Sequence, residues 1–511
     1  METVILNGHD LSLEELYKIA CDGWRVALDP EAFARLARSR EVMVELAHGG
    51  KAIYGFNRGV GWNKDRGMDE AALELENQKI IRSHALGAPP YCSDKEVRAM
   101  MAIRLNQMLI GASCASDRLA ELYRDFLNCG ITPQVPRRGS VGEADITTIT
   151  HIGMAFAGEA DVSYRGQVVP AAQAMEAEGI SPYCWTLKDA HTVMLSNCQG
   201  EALTALLVRE AEALTEMSDL VFCLDYEGLN GNIEAMREDV NALRGLPGQI
   251  TCAARCRKFL EGSYLYEEHP DRALQDPLTF RGGFTITGTV ADALEYIKGF
   301  LRIQLNSPSD NPCVMPDQGA LYVNSNFETT TLAVGVEMLA IALGHLSRAI
   351  NYRMIKMSGP QFTGLTRFLA PRNGKALGYA QVQDTFSAID AENRLLITPS
   401  STDFFTVEGD IEDHASNLPL AAAKALHLVD NLYRMVGMEA LYAAQAVDLR
   451  EGVRLGRYTQ IAYDTIRAAI PTMDENRAIG RDLEKAYELV RSGRLLEACR
   501  TEDKAEQNAV L

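Results

Sequence analysis

Apolar residues recur at three- and four-residue spacing along four long stretches: residues 199–224, 287–305, 329–357 and 413–446. That period lines one face of a helix with side chains that need burial, so each stretch predicts a long amphipathic helix. Helices this long and this numerous predict a helical bundle rather than a sheet. The first part of the chain is more broken. Thr3–Leu6 reads as a short strand, residues 11–16 and Asp29-Pro30-Glu31 open helices, 69–84 and 94–128 read as two helical segments, and 161–169 reads as a small hairpin. The expected architecture is mainly α. A smaller mixed region covers residues 1–187, and a long-helix bundle with a helical cap covers residues 188–511, the whole folding as one cooperative chain.

Composition narrows the class of partner. The chain has 511 residues, enough for a large core, and a formal net charge of −19. Such a charge opposes nucleic acid and anionic membranes as partners. The start, Met1-Glu2-Thr3-Val4-Ile5, lacks a basic segment followed by an apolar one, so no secretory leader is expected. The most apolar helical run, 332–346, carries Glu337 and His345 and is short for a bilayer. The eleven cysteines follow no framework spacing, and Cys252 and Cys256 have no second ligand pair beside them. No metal is expected, and reduced thiols in a cytoplasmic setting are.

The residues that carry chemistry lie between these elements. From Pro136 to Ile146, Gly139 and Gly142 flank Ser140-Val141, and Glu143 and Asp145 follow before an apolar, threonine-rich run. This reads as a tight loop entering a helix, with Asp145 as the capping acid, and such loops also bring N–H groups and acids to a site. Residues 52–63 set Tyr54, Phe56 and Trp62 among three glycines, and large rings on an irregular loop line a pocket. A phosphate-cradling loop would need a lysine–hydroxyl pair that is missing here. Three further polar clusters run from Gln275 to Arg281, from Asn306 to Glu328 and from Glu408 to His414. Each also reads as caps and Asx turns, with Asp413 capping the helix that follows, and no metal-ligand spacing surrounds Glu412-Asp413-His414.

Taken in order, these pieces resemble the histidine and aromatic amino-acid ammonia-lyase family. The matching residues are Tyr54-Gly55-Phe56-Asn57 with Gly59-Val60-Gly61, Ser83-His84, Gly139-Ser140-Val141-Gly142, Gln199, Gln275-Asp276-Pro277 with Arg281, Asp310-Asn311-Pro312, Asn326-Phe327 and Glu412-Asp413-His414. Each motif is weak by itself; their shared order is specific. The resemblance implies the helical ammonia-lyase (fumarase/aspartase-like) fold and a homotetramer with active sites shared between subunits.

The departures bear on function. In the family an Ala-Ser-Gly triplet after the glycine loop cyclises into the electrophilic methylidene-imidazolone group. Here Ala144 stands where the serine would be and Asp145 where the ring-closing glycine would be. The supporting asparagine aligns with Ser196, beside Asn197, and the second family tyrosine is replaced by Leu278. No such cofactor is therefore expected. The electrophile makes ammonia a tolerable leaving group; a quaternary amine already leaves neutral and has no lone pair with which to add to it. The resemblance thus implies a cofactor-free carbon–nitrogen lyase that eliminates trimethylamine from ergothioneine, a 2-thioimidazole betaine, to give thiolurocanate.

The resemblance also implies roles. Tyr54 matches the family's base, and a phenol titrating near pH ~10 needs cations or donors close by to act near neutrality. Arg281 suits a clamp on the substrate carboxylate. Lys375 and Glu412 suit hydrogen bonding or protonation of the thioimidazole, although Lys375 also reads as a solvated lysine. His84, Asn197 and Gln275 match positions around the substrate. Asp145 or Glu143, with Phe56, Trp62 and Phe327, suits the trimethylammonium group through charge and cation–π attraction. Two rivals stand beside this: an ammonia-lyase or aminomutase acting on histidine or tyrosine, and a non-catalytic descendant of the family.

Overall fold

The computed structural model describes residues 2–510, the side chains of 70, 71, 73, 74 and 505–510 excepted. The chain is mainly α-helical, as the periodicity predicts. The four expected helices are Cys198–Leu229, Gly283–Leu305, Thr330–Met357 and Leu418–Arg450. Two sequence readings need correction. Residues 94–128 form two helices, Asp94–Leu109 and Asp117–Cys129, because Gly111 turns the chain at φ +83° and Ser116 then caps a new start by accepting the Leu119 N–H. The fourth long helix begins only at Leu418, beyond the reach of Asp413, which therefore does not cap it. Thr330–Met357 matches its expected span; although its apolar run 332–346 read as short for a bilayer, the whole helix is long and apolar enough to cross one, yet 61% of its most apolar window is buried inside the protein.

The chain divides into two compact units, and the division does not fall at residue 187. The first unit comprises residues 1–207, 297–336 and 399–423; the second comprises 208–296, 337–398 and 424–511. Each unit gathers three separate stretches because the long helices carry the chain out of one unit and a later helix returns it.

Among the described residues, every strand lies in the first unit, in four small sheets. Thr3–Leu6 pairs parallel with Arg25–Leu28, and the predicted hairpin is Asp161–Tyr164 with Gln167–Pro170. The unit's interior holds a charged clamp. Arg104 and Asp310 are both fully buried and paired through two hydrogen bonds of 3.0 and 2.8 Å, and Arg104 also donates to the Thr192 carbonyl. The second unit is all helix among the described residues and has its own buried pair, Arg353 with Glu439.

Removing one partner of a buried pair leaves the other charge without compensation. Asp310→Ala is expected to cost about 3–5 kcal/mol, seen as a clear fall in melting temperature. The double variant Arg104→Met/Asp310→Leu should lose less. An Asp310→Ala protein that melts like the wild type would show that the clamp contributes little.

Candidate active site

Four segments of the first unit meet around one cavity with two lobes. Tyr54, Gly61, Glu143, Ala144, Ile146, Leu195 and Glu412 line both lobes. One lobe, of about 370 Å³, adds Ser309, Asn311, Phe327, Glu328 and His414. The other, of about 270 Å³, adds Val60, His84, His191 and Met194. Neither lining contains a lysine or an arginine. A larger, more open depression in the second unit, walled by Arg237, Arg257, His269 and Arg272, gathers none of the residues singled out in the sequence.

Local structure explains how each segment reaches the cavity. The Tyr54 loop is pinned by Asn57, whose amide accepts the Ile53 N–H and donates to the Lys51 carbonyl. Gly61, at φ +54°, then turns its N–H onto the Tyr54 hydroxyl at 2.9 Å. Opposite, Val407 and Glu412 exchange backbone hydrogen bonds across a tight turn that presents Glu408 and Glu412. This turn rests on the Tyr54 loop: a Cβ added to Gly409 would lie 2.0 Å from the Trp62 ring.

The glycine loop is held from behind. A Cβ on Gly142, at φ +84°, would meet Ser416 Oγ at 2.4 Å, so only glycine fits. Ala144 is buried in a left-handed conformation, φ +63°, that costs an alanine about 1–2 kcal/mol. Its N–H donates to Asn197 Oδ1 at 2.8 Å, and Asn197 donates in turn to the Phe327 carbonyl at 2.6 Å.

Several side chains lie elsewhere than expected. Asp145 occupies the start of the Ile146–Phe156 helix, but its fully buried carboxylate turns away from both the cavity and that helix. It accepts the Gln199 and Gly200 N–H groups at 2.8 and 3.1 Å, and the Ser140 hydroxyl, capping the Cys198–Leu229 helix instead. Asn197 is a clamp between loops and does not line the cavity. Phe56 packs into a core with Met43, Ile53 and Val314, and Trp62 is 68% exposed beneath Gly409. Arg281, Gln275 and Lys375 belong to the second unit. Arg281 donates to Gln275 at 2.5 Å, and Lys375 is exposed on a loop. Tyr54, His84, Phe327 and Glu412 do line the cavity. Glu328 and His191 also line it; Glu328 closed one of the polar clusters without being given a role, and His191 was passed over, although a histidine inside the apolar run 190–195 was a signal.

The electrostatics are those of an acid-walled site. Burial pushes Glu143 up to about 8, helped by the charge of Glu328 and then of Glu412. For Glu328 burial acts upward too, but hydrogen bonds from Thr330 and Glu143 and the charge of His414 outweigh it and hold this carboxyl below its usual range. The two acids therefore share one proton that sits on Glu143 near neutrality. Burial raises Tyr54 above the usual phenol range; the Gly61 N–H opposes this, and Glu412 and Glu408 add to it. Burial, then Glu408, raises Glu412. One ligand atom each from Glu143, Glu328 and His414 lies within 4.8 Å of the others, close enough to hold a cation. His414 Nε2 is already paired with Glu328 at 3.1 Å.

Fold and cavity together define a carbon–nitrogen lyase: the chain belongs to the family described as aromatic amino acid lyase, which it matches over residues 11–468. Among its relatives is the histidine ammonia-lyase of Anaeromyxobacter sp. (strain K), 32% identical, with 97% of this chain and 100% of the relative aligned. Among solved structures, it is similar to the ergothioneine-degrading enzyme ergothionase of Treponema denticola in complex with desmethyl-ergothioneine sulfonic acid. There the identity is 47% and the TM-score 0.95, covering 97% of this chain and 100% of that one. A tyrosine aminomutase of Streptomyces globisporus is similar at 27% identity and a TM-score of 0.92, covering 98% and 99%.

Because Glu143 holds its proton below about pH 8, the cavity gains negative charge as pH rises through that value. Tetramethylammonium, titrated calorimetrically, is expected to bind about two- to fivefold tighter at about pH 9 than at about pH 6.5. Glu143→Gln should remove most of that rise. An unchanged pH dependence in Glu143→Gln would exclude Glu143 as the titrating charge.

Proposed function

We propose that this protein is a cofactor-free carbon–nitrogen lyase that eliminates trimethylamine from ergothioneine to give thiolurocanate. The observation that carries this reading is the cavity wall: Glu143, Glu328 and Glu412 with the Phe327 ring, and Ala144 in place of the serine from which the family makes its electrophile. The residues present do not suit that prosthetic group. Ala144 has no hydroxyl to lose, and the N–H of Asp145, at the ring-closing position, is given to the Ser196 carbonyl at 2.7 Å. A wall of carboxylates with the Phe327 and Tyr54 rings suits a cation without N–H groups, which is attracted by charge and ring face rather than by hydrogen bonds. The similarity to ergothionase supports the same substrate.

In the proposed reaction Tyr54 takes the β-proton. The C–H electron pair becomes the Cα–Cβ double bond, and the Cα–N bond breaks toward nitrogen, so trimethylamine leaves neutral. Burial first, and then the neighbouring acids, keep the proton on Tyr54, so positive charge has to reach it from beyond this wall. The substrate's trimethylammonium is one source. Arg281 and Lys375, brought by neighbouring copies in the homotetramer that we propose, are the others. Arg281 would clamp the substrate carboxylate, with Gln275 holding the guanidinium. Lys375 and Glu412 would draw electron density into the thioimidazole ring, acidifying the β-carbon. His84 has a fixed role available: its Nδ1 lies 2.9 Å from the Ile80 carbonyl, which makes Nδ1 the donor and leaves Nε2 as acceptor. Exposed apolar positions Val334, Met338, Ile341, Tyr352 and Ile355 recur along Thr330–Met357, a face that a second copy would cover. All eleven cysteines are unpaired, which supports a cytoplasmic setting.

A second reading, histidine ammonia-lyase, is favoured by relatives of that name at 32% identity. Purified protein mixed with ergothioneine is expected to release trimethylamine and thiolurocanate in equal amounts, and mixed with histidine to release no ammonia. Tyr54→Phe should lower turnover by about 10²–10⁴-fold with an unchanged circular dichroism spectrum. Ammonia from histidine, together with an ultraviolet-absorbing group that stays with the denatured chain, would instead establish the second reading.

A further inference from the structure

The short helix Asp189–Met194 is buried along its whole length and tied at almost every residue. The Asp189 carboxylate accepts from Arg40, the Ser116 N–H, Tyr183 and Thr186. Ala190 donates its N–H to Asn77, and Thr192 donates its hydroxyl to the Ser113 carbonyl while its own carbonyl receives Arg104. Between them stands His191, only 2% exposed, whose two ring nitrogens meet no hydrogen-bonding group among the described residues. A buried polar group left unpaired is costly, so a ring held here by so many neighbours calls for a partner.

The ring lies at the edge of the substrate cavity. His191 lines the same lobe as Tyr54, His84, Val60 and Met194, and its Cδ2 lies 3.4 Å from where a Gly55 Cβ would stand, directly under the Tyr54 loop. Tyr54, Glu143 and Glu412 line both lobes, with Glu328, Phe327 and His414 on one side and the two histidines, Glu408 and apolar Val60 and Met194 on the other. A substrate whose reacting β-carbon faces Tyr54 carries its cation on one side of that carbon and its planar ring on the other. Glu143 and Glu412 line both lobes, so acids alone do not tell them apart; Phe327 and Glu328 mark the side that suits the cation, and the two imidazoles, beside Glu408, mark the side that suits the ring.

We propose that the buried His191 imidazole hydrogen-bonds the heteroatom edge of the substrate ring and thereby selects a nitrogen heterocycle over a phenyl ring. The inference rests on the reading of this cavity as the substrate site. Burial, with Lys188 and His84 nearby, pushes His191 down to about 3, so near neutrality it is an uncharged imidazole with one donor and one acceptor. An imidazole or thioimidazole edge also offers a donor and an acceptor, so it can pair whichever His191 nitrogen it meets in one hydrogen bond. A phenyl ring would leave that nitrogen of His191 buried and unpaired, and it is this penalty, more than any new attraction, that discriminates.

The test compares two trimethylammonium betaines of similar size, histidine betaine and phenylalanine betaine, titrated calorimetrically into wild type, His191→Leu and His191→Gln. Wild type is expected to prefer the histidine betaine. His191→Leu should weaken that ligand by about tenfold, the weight of one hydrogen bond, and leave the phenylalanine betaine unchanged or tighter. His191→Gln, which keeps a donor and an acceptor, should restore part of the preference. Equal losses for both ligands, no loss for the histidine betaine, or no binding of either to wild type would each overturn the proposal. Turnover of ergothioneine with no dependence of ring preference on His191 would leave the elimination reading intact and remove this one. A His191-dependent ring preference without ergothioneine turnover would do the reverse.

Discussion

The site depends on a charge that has no access to water. Arg104 sits fully buried on the Asp94–Leu109 helix and satisfies its guanidinium with the Asp310 carboxylate and the Thr192 carbonyl. Such a group is tolerated only when its partners are held in register, so it fixes three distant parts of the chain together. One is its own helix. The second is the Asp189–Met194 helix, which carries His191 and Met194 to the cavity. The third is the loop in which Ser309 and Asn311, the neighbours of Asp310, form part of the wall. A second polar anchor acts nearby: Asp145 binds the start of the Cys198–Leu229 helix to the glycine loop and so sets where Ala144 and Glu143 stand.

Charge in the wall has opposing effects. Burial, with the carboxyl groups that favour a cation, also holds the proton on Tyr54, the residue proposed to accept one. On the proposed reading, the positive charge that a phenolate needs comes in part with the substrate itself. The Glu143–Glu328 pair moderates the conflict: by sharing a proton it halves its charge when nothing is bound.

The fold was largely legible in the sequence. Four long helices were readable because their apolar period extends over many turns, and only their ends escaped the pattern; elsewhere, the break at Gly111 and Ser116 that splits residues 94–128 escaped it too. Tyr54, His84, Phe327 and Glu412 were legible through the order of motifs rather than through any local rule, since residues so far apart in the chain have no spacing to betray their meeting. Side-chain direction was not legible. Asp145, Asn197 and Phe56 sit in the right loops and point away from the cavity, because helix ends, loop carbonyls and core space claimed them first. His191 lay hidden for the opposite reason: an apolar run disguised a polar residue that packing brings to the wall.

The contact between Gly409 and Trp62 has an optical consequence. Gly409 lies flat on the indole, joining the loop of Tyr54 to the turn of Glu412, while the opposite side of the ring faces solvent. With three tryptophans in the chain, the wavelength of Trp62 emission becomes a built-in gauge of whether those two loops are together. The wall of the cavity thus carries its own fluorophore, sensitive to separation of the acid from the phenol that it faces.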